Sequence, residues 1–386
     1  MVDDTATVLL TLGRLPVALE IARAFHHAGY RVIVAEPFSW PLCRLSNSVD
    51  KCFRVTAPTV DKAAYQAELL AIVAAENVTL LVPVSEEILF VAGCESSLPD
   101  TTSLVSMDQE TLLLLHDKWR FAMWAAKHGL PVPPTVLADD DEAVAALLVS
   151  EHVVKPRLSC SGVGVRFGHE GQALLASECT DGKIVQERLR GSSCSTFSIV
   201  VQGRVLVSVA YRGLLQSGSV SVCFERINMP ETIDRYIGKA AALLNFSGML
   251  SFDFLQTETG QWQAIECNPR ATSGIHFIHR EPLLSCLQVV AAGQSGSLPS
   301  VCCLPTGTRR QEFWSCLTEV QGDLLKLKWN GVGWQMLFGS TDISFSSGDM
   351  KPFFLMPLVL APQLWQALRN RQPVSELLML DVGWYS

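Results

Sequence analysis

The sequence predicts a multidomain protein of mixed α/β and α+β class, on three observations. Strands and helices alternate through residues 1–106, a pattern that builds a parallel sheet flanked by helices. Farther on, apolar strands follow one another across tight Gly-containing turns, in residues 196–212 and 249–268, and build antiparallel hairpins. A chain of 386 residues with 48% hydrophobic side chains is long enough to bury two or three closely packed domains.

Residues 7–12 are a continuous apolar strand, and Pro16 opens a helix where its missing N–H does no harm. Ala18, Ile21, Ala22 and Phe25 give that helix one apolar stripe and Gly29 stops it. Residues 31–36, 61–76, 78–84 and 85–94 then read as strand, helix, strand and helix. The first turn holds a single Gly13 followed by Arg14, without the three glycines that let a backbone approach a pyrophosphate, so a dinucleotide site is not expected. Glu86 and Glu87 follow the strand ending at Val84 and read as carboxylates stabilising a helix start, although ligands also gather at this end of a parallel sheet.

A helix runs through Asp117, Lys118, Trp119 and Arg120 to His128 and is closed by Gly129. Residues 141–150 form a short helix, and strand 153–156 ends on Lys155-Pro156 with the ammonium at the edge of a pocket, where it needs an anion. The loop RLSCSGVGV follows; Ser161, Gly162 and Gly164 let backbone N–H groups and hydroxyls close around phosphate oxygens. Residues 183–189 are the next strand, 196–201 and 204–212 pair across Gln202-Gly203, and 219–224 adds another. Arg212 and Arg226 lie near strand ends and read as surface ion pairs, with a contact to a substrate carboxylate as the alternative. Pro230 and Glu231 start a helix with Ile233, Ile237, Ala241 and Leu244 on its apolar face.

That helix leads into the stretch around which the chain is organised. Strands 249–256 and 261–268 meet at a Thr259-Gly260 turn; with Glu258 opposite Gln261, Asp253 lies opposite Glu266, and alternation puts Asn268 on the same side. Opposed like charges destabilise a hairpin, so the pair calls for a cation between them or a raised pKa on one. All-oxygen ligands select Mg²⁺, although a solvent-facing strand edge would carry the same residues. Pro269-Arg270 ends the strand and sets a guanidinium beside the acids. His276 follows, either as a substrate contact and proton shuttle or as a core histidine satisfied by backbone. Residues 281–292 are a helix and 293–307 a linker. The remaining residues, with Trp314, Trp329 and Trp334 and a helix at 362–370 with another at 374–380, suggest a packed small domain.

The hairpin, with its aspartate, its E-x-N ending and the Pro-Arg after it, resembles the metal-binding end of the ATP-grasp superfamily, in the style of its carboxylate-amine and amino-acid ligases. DK-x-x-F followed by G-L-P-V-P, then K-P with a glycine loop, then Q-E-x-L-x-G are similar to the rest of that pattern in the same order, over residues 5 to about 295. The resemblance implies a pre-ATP-grasp domain at 1–106, an ATP-grasp domain at 107–295 with a lid at about 137–190, nucleotide between two α+β subdomains, and a small C-terminal α+β extension at 296–386. It implies ATP and Mg²⁺, or Mn²⁺ in its place, with Lys118, Lys155, Ser161, Gly162 and Gly164 at the phosphates. By the same resemblance Glu187 and Leu189 read adenine, and Ser193 stands where the family commonly has a ribose-binding carboxylate. Asp253, Glu266 and Asn268 would hold the metal and Arg270 the transferred phosphoryl group. The implied activity is phosphorylation of a carboxylate to an acyl phosphate that an amine attacks, releasing ADP and phosphate. Bicarbonate activation, or an ATP-binding module without turnover, remain open beside it.

A net charge of −8 with no basic run argues against a nucleic-acid partner. The run 353–360 is broken by Pro357 and is far shorter than the roughly 20 residues that span a bilayer. No signal-peptide pattern opens the sequence, and twelve cysteines without C-x-x-C or zinc spacing fit reduced thiols, so a cytoplasmic protein is expected. The partners expected are small-molecule carboxylates and amines, with oligomeric state open between a monomer and a homodimer.

Overall fold

The computed structural model describes residues 6–159, 162, 164–217, 220–293, 302–325, 332–370 and 381–384. Among them three sheets form. The first is parallel, in the order β3-β2-β1-β4-β5: β1 (Thr7–Thr11), β2 (Arg31–Glu36), β3 (Lys51–Arg54), β4 (Val78–Val82) and β5 (Ser103–Leu104). The central strands β1 and β2 are buried almost throughout, as strands covered on both faces must be, which explains their unbroken apolar runs. Helix α1 (Pro16–His27) has Pro at its first position, and α2 (Lys62–Ala75) is capped by Asp61, whose carboxylate accepts from Ala64 N at 2.9 Å. Only five residues, Ile88–Ala92, form α3. In the first turn Arg14 is buried against Glu36 and Asp381, and the ion pair occupies the end of β2.

Next come α4 (Gln109–His116) and α5 (Lys118–Lys127). The single helix expected through Asp117 is thus corrected to begin after it: Asp117 takes extended φ/ψ and caps α5, accepting from Trp119 N and Arg120 N at 3.0 and 3.2 Å. A small antiparallel sheet follows in the order β6-β9-β7-β8, from β6 (Thr135–Leu137), β7 (His152–Pro156), β8 (Arg166–Gly168) and β9 (Lys183–Glu187). Helix α6 (Asp141–Leu147) covers one face of it through Val144 and Leu147 against Val185.

The largest sheet has the order β14-β13-β10-β11-β12-β15-β16. Its strands are β10 (Ser193–Val201), β11 (Arg204–Ser217), β12 (Val220–Ile227), β13 (Gly248–Gln256), β14 (Trp262–Asn268), β15 (Arg309–Gln311) and β16 (Thr341–Asp342). Gln202 and Gly203 both have positive φ, 45° and 73°, as a tight hairpin turn requires. Helix α7 (Glu231–Leu244) packs Ile233, Tyr236 and Ile237 on one face, and α8 (Arg280–Ala292) packs with α1 on the other. That second face joins Phe197, Ile199 and Phe277 to Val8, Leu10 and Phe25 of the N-terminal layer in one core. Each fully buried Phe there contributes about 1.5–3 kcal/mol, so the two layers are held as one body and the ends of both sheets keep fixed positions.

Among the described residues the C-terminal part forms no core of its own. β15 pairs with β12, and α9 (Phe313–Leu325) and α10 (Val332–Gly339) cover Val222 and Cys223. Helix α11 (Lys351–Asn370) closes on the N-terminal layer, where Asp349 just before it binds Arg23 at 3.0 Å. Part of the expected linker pairs with the chain instead, since Leu304 N donates to Phe277 O at 2.8 Å. Ser219, Trp329 and the helix expected at 374–380 lie outside the described residues. Arg212 pairs with Glu225 at 2.6 Å, as expected of a surface arginine, while Arg226 donates to the carbonyl of Leu304. The described cysteines are free thiols, and no described helix is long and apolar enough to cross a membrane.

Candidate active site

Strands β13 and β14 form one edge of the large sheet. Ser251 pairs with Asn268, Phe252 with Cys267 and Asp253 with Glu266; the register then slips, and Phe254 pairs with Ala264 and Gln256 with Trp262. Ile265 is the extra residue, a β-bulge. A constant register running from the turn is therefore wrong: Thr257, not Glu258, meets Gln261, with its N–H 2.8 Å from the Gln261 carbonyl. The bulge restores the pairing of Asp253 with Glu266. Without it, the side chains of β14 beyond Ala264 would fall on the other face.

Asn268 Nδ2 donates to Asp253 Oδ2 at 3.1 Å and to Glu266 Oε1 at 3.4 Å, and Ser195 on β10 donates its hydroxyl to Asp253 Oδ1 at 2.5 Å. Burial, and then the Glu266 carboxylate beside it, raise the Asp253 carboxyl well above its ordinary range. Burial acts the same way on Glu266, but Lys118 and Lys155 outweigh it and hold that carboxyl low.

Both lysines arrive from outside the hairpin. Lys118, in the first turn of α5, donates through Nζ to Ser159 O at 2.5 Å and Ser159 Oγ at 3.2 Å, and the same Nζ lies 3.9 Å from Glu266 Oε2. Its backbone N–H donates to Arg157 O at 3.1 Å, which ties α5 to the glycine-containing loop. Lys155 near the end of β7 donates to Ile265 O at 3.2 Å. Burial pushes the Lys155 ammonium down to about 8, against the pull of Glu266.

Arg270 closes the far side. Its Nε donates to Glu86 Oε1 at 2.8 Å and its Nη2 to Asn268 Oδ1 at 3.2 Å. Glu86 is 2% exposed and also lies 3.3 Å from His116 Nε2, so its partners are an arginine and a histidine rather than the helix start that the sequence suggested. Burial raises its carboxyl, yet His116 and Arg270 together hold it below the ordinary range; burial holds His116 low in turn. Glu87 does act locally, accepting from Val84 N at 2.7 Å.

In sequence, residues 115–274 match the ATP-grasp domain family. The chain carries an ATP-grasp domain. The matched span holds Lys118, Lys155, Asp253, Glu266, Asn268 and Arg270 and stops before His276. Solved structures share the fold. N5-carboxyaminoimidazole synthetase from Staphylococcus aureus is 15% identical with a TM-score of 0.63, over 84% of this chain and 86% of that one. The biotin carboxylase domain of the Hydrogenobacter thermophilus 2-oxoglutarate carboxylase, a dimer with MgADP, ADP and bicarbonate, is 14% identical with a TM-score of 0.61, over 78% and 73%. L-amino acid ligase from Bacillus licheniformis is 14% identical with a TM-score of 0.59, over 75% and 77%. No curated protein matches the chain in sequence.

Not every residue expected at an ATP-grasp site joins the cluster. Pairing of Lys155 with Ile184 and of His152 with Glu187 puts Glu187 on the face of the small sheet opposite Lys155. Gln186 takes the cleft side and donates to Thr135 Oγ1 at 2.9 Å. Glu187 can therefore offer the cleft its backbone, a correction to the expected reading by its carboxylate, and Leu189 follows the end of β9. Ser193 is exposed and shares a face with Ser195 and Asp253, one pleat along β10. Gly162 and Gly164 have φ of 71° and 73°, and a Cβ at Gly164 would meet Pro156 at 2.9 Å, so the loop passes K-P closer than a side chain allows. Ser161 lies outside the described residues. His276 is the clear departure: it is buried, its Nδ1 is 3.4 Å from Glu20 Oε2 on α1, and it touches none of the cluster.

Nothing in the sequence pointed to Ser195 or His116, because a serine in a strand and a histidine ending a helix follow no transferable spacing. Among the described residues no three His, Cys, Asp and Glu side chains gather at one point. The ATP-grasp hairpin instead offers two acids and an amide. Two carboxylates forced together at paired strand positions, one of them raised by burial and by its neighbour, fit a hard divalent cation that would relieve their repulsion.

Proposed function

We propose that the protein is an ATP-dependent ligase that phosphorylates a small carboxylate, an amino acid or similar acid, and joins it to an amine with release of ADP and phosphate. The observation that carries this reading is the convergence of Lys118 and Lys155 on Glu266, beside Asp253, Asn268 and Arg270. A triphosphate bears the charge that such a set is built to receive. We assign 107–295 to the catalytic domain, with 137–190 as its lid.

Lys118 and Lys155 bind phosphate oxygens, and the backbone around Gly162 and Gly164 closes over them. Asp253, Glu266 and Asn268 would hold Mg²⁺, whose contribution is to neutralise charge on the phosphates. The carboxylate oxygen of the substrate forms a bond to the γ-phosphorus as the bond to the ADP oxygen breaks. Arg270, fixed by Glu86 and Asn268, is placed to hold the transferred group. The amine lone pair then attacks the acyl carbon, phosphate leaves and the amine gives up a proton. Water must be kept out, or the acyl phosphate is lost to hydrolysis.

One finding favours a second reading, bicarbonate as the activated acid: the Hydrogenobacter thermophilus domain is a structure with MgADP and bicarbonate bound. ADP release by the purified protein, measured with a panel of amino acids and small carboxylates and separately with bicarbonate, tells the two apart. Asp253→Asn and Glu266→Gln should each lower turnover at least 100-fold with the fold intact. Saturable ATP binding with no ADP formed under any acceptor would reduce the protein to a binding module.

A further inference from the structure

A cavity of about 330 Å³ opens between α1 and the far end of the large sheet. None of the six clustered residues lines it. In the sheet order β15 stands four strands from β13, about 19 Å at about 4.8 Å per step. Its titratable groups are Glu20 from α1, His276, His279, Arg280 from α8, Arg310 from β15 and Asp342 from β16.

The acids in this wall are already engaged. Glu20 Oε1 accepts from Arg280 Nε at 3.2 Å while Oε2 faces His276 Nδ1 at 3.4 Å. Asp342 accepts from the N–H groups of Phe313 and Ser344, both at 2.7 Å, and from Ser344 Oγ at 2.5 Å. Two nitrogens are left over. His276 is 4% exposed and its Nε2 is buried without a partner; Arg310 Nε is buried without a partner as well. A buried guanidinium nitrogen without an acceptor is costly, and a cavity of small-molecule size bordered by a surplus guanidinium donor, an unpartnered imidazole nitrogen and satisfied acids is shaped for an anion.

We propose that this cavity is a second small-molecule site, separate from the phosphate and metal cluster, that takes an oxyanion group, a carboxylate or a phosphate, between Arg310 and His276. Arg310 Nε donates to one oxygen. The His276 ring, with Nδ1 turned to Glu20, meets another through Nε2. The site does not depend on the ligase reading, because its occupant meets none of the residues assigned there.

The full-length protein with ¹⁵N-labelled histidine is titrated with potassium phosphate and, separately, sodium succinate, against potassium chloride at equal ionic strength. His276→Gln assigns the signal. Expected is a saturable change in the His276 Nε2 chemical shift with phosphate, succinate or both, which also names the preferred source. Arg310→Gln should weaken it at least tenfold, Arg310→Lys less, and Asp253→Asn not at all. No saturable change beyond chloride in the wild type, or equal binding by Arg310→Gln, overturns the proposal. If Arg310→Gln does not fold, the wild-type titration decides alone.

Discussion

Lys155 Nζ donates at 3.2 Å to the carbonyl of Ile265, the residue that the register slip leaves without a partner on β13. The bulge thereby does two things: it absorbs the extra residue so that Glu266 and Asn268 stay on the side of Asp253, and it sets out a carbonyl that anchors a lysine from another sheet.

Deleting Ile265 should separate the two. Glu266 would then follow Ala264 directly and still meet Asp253, with Asn268 on the same side, while Lys155 loses its carbonyl; Mg²⁺-dependent ATP binding, followed by calorimetry, should persist but weaken, with the far-UV spectrum close to that of the wild type. Binding lost altogether would show that the hairpin register is not set by these pairings.

Lys155→Met removes an ammonium that burial already disfavours. Stability should change by no more than about 1–2 kcal/mol in either direction, since a desolvation cost disappears as Glu266 loses a neighbour. ATP affinity should weaken at least tenfold. A denaturant melt and a nucleotide titration on the same sample check the pair, and unaltered affinity would remove Lys155 from the phosphate site.

Glu86→Gln keeps the shape but takes away the charge that fixes Arg270. Turnover should drop by about 10- to 100-fold with little effect on ATP affinity, while Glu86→Ala, which removes the buried carboxylate paired with the guanidinium, should cost about 3–5 kcal/mol of stability. If kcat is unchanged in Glu86→Gln, Arg270 does not need the Glu86 charge to act.

Glu20 gives a pH signature. Burial raises its carboxyl, but His276 and Arg280 outweigh that and bring it down to about 2. A carboxyl depressed in the folded state stabilises fully above its unfolded pKa and loses that stabilisation as pH falls through the folded value. The stability difference between wild type and Glu20→Gln should therefore be largest above pH 5, of order 3 kcal/mol, and vanish between about pH 4.5 and 2. Chemical denaturation at stepped pH measures it, and a difference that grows on acidification contradicts the assignment.

Much of this fold was legible because its signals are local. Unbroken apolar runs marked β1 and β2, Pro16 and Asp61 marked helix starts, and the spacing of Asp253, Glu266 and Asn268 brought them together even though the turn was counted one residue off. What the sequence hid is set by distant chain. Glu86 looks like any helix-start acid until Arg270, 184 residues away, is folded onto it. His276 sits six residues after Arg270, yet the 3₁₀ turn at Ser273–Phe277 carries it under the sheet to α1. The place of β15 beside β12 follows from tertiary packing that no short window encodes.

The pairing of β15 along β12 also has a protective sense. β12 would otherwise end the sheet with a row of open backbone donors and acceptors beside the apolar Val222 and Cys223, and such a border is a template on which other chains add. A protein severed in the segment before Cys302 would be less a trimmed enzyme than a seed for self-association. Covering that border would matter for solubility even in a molecule that never turned over a substrate.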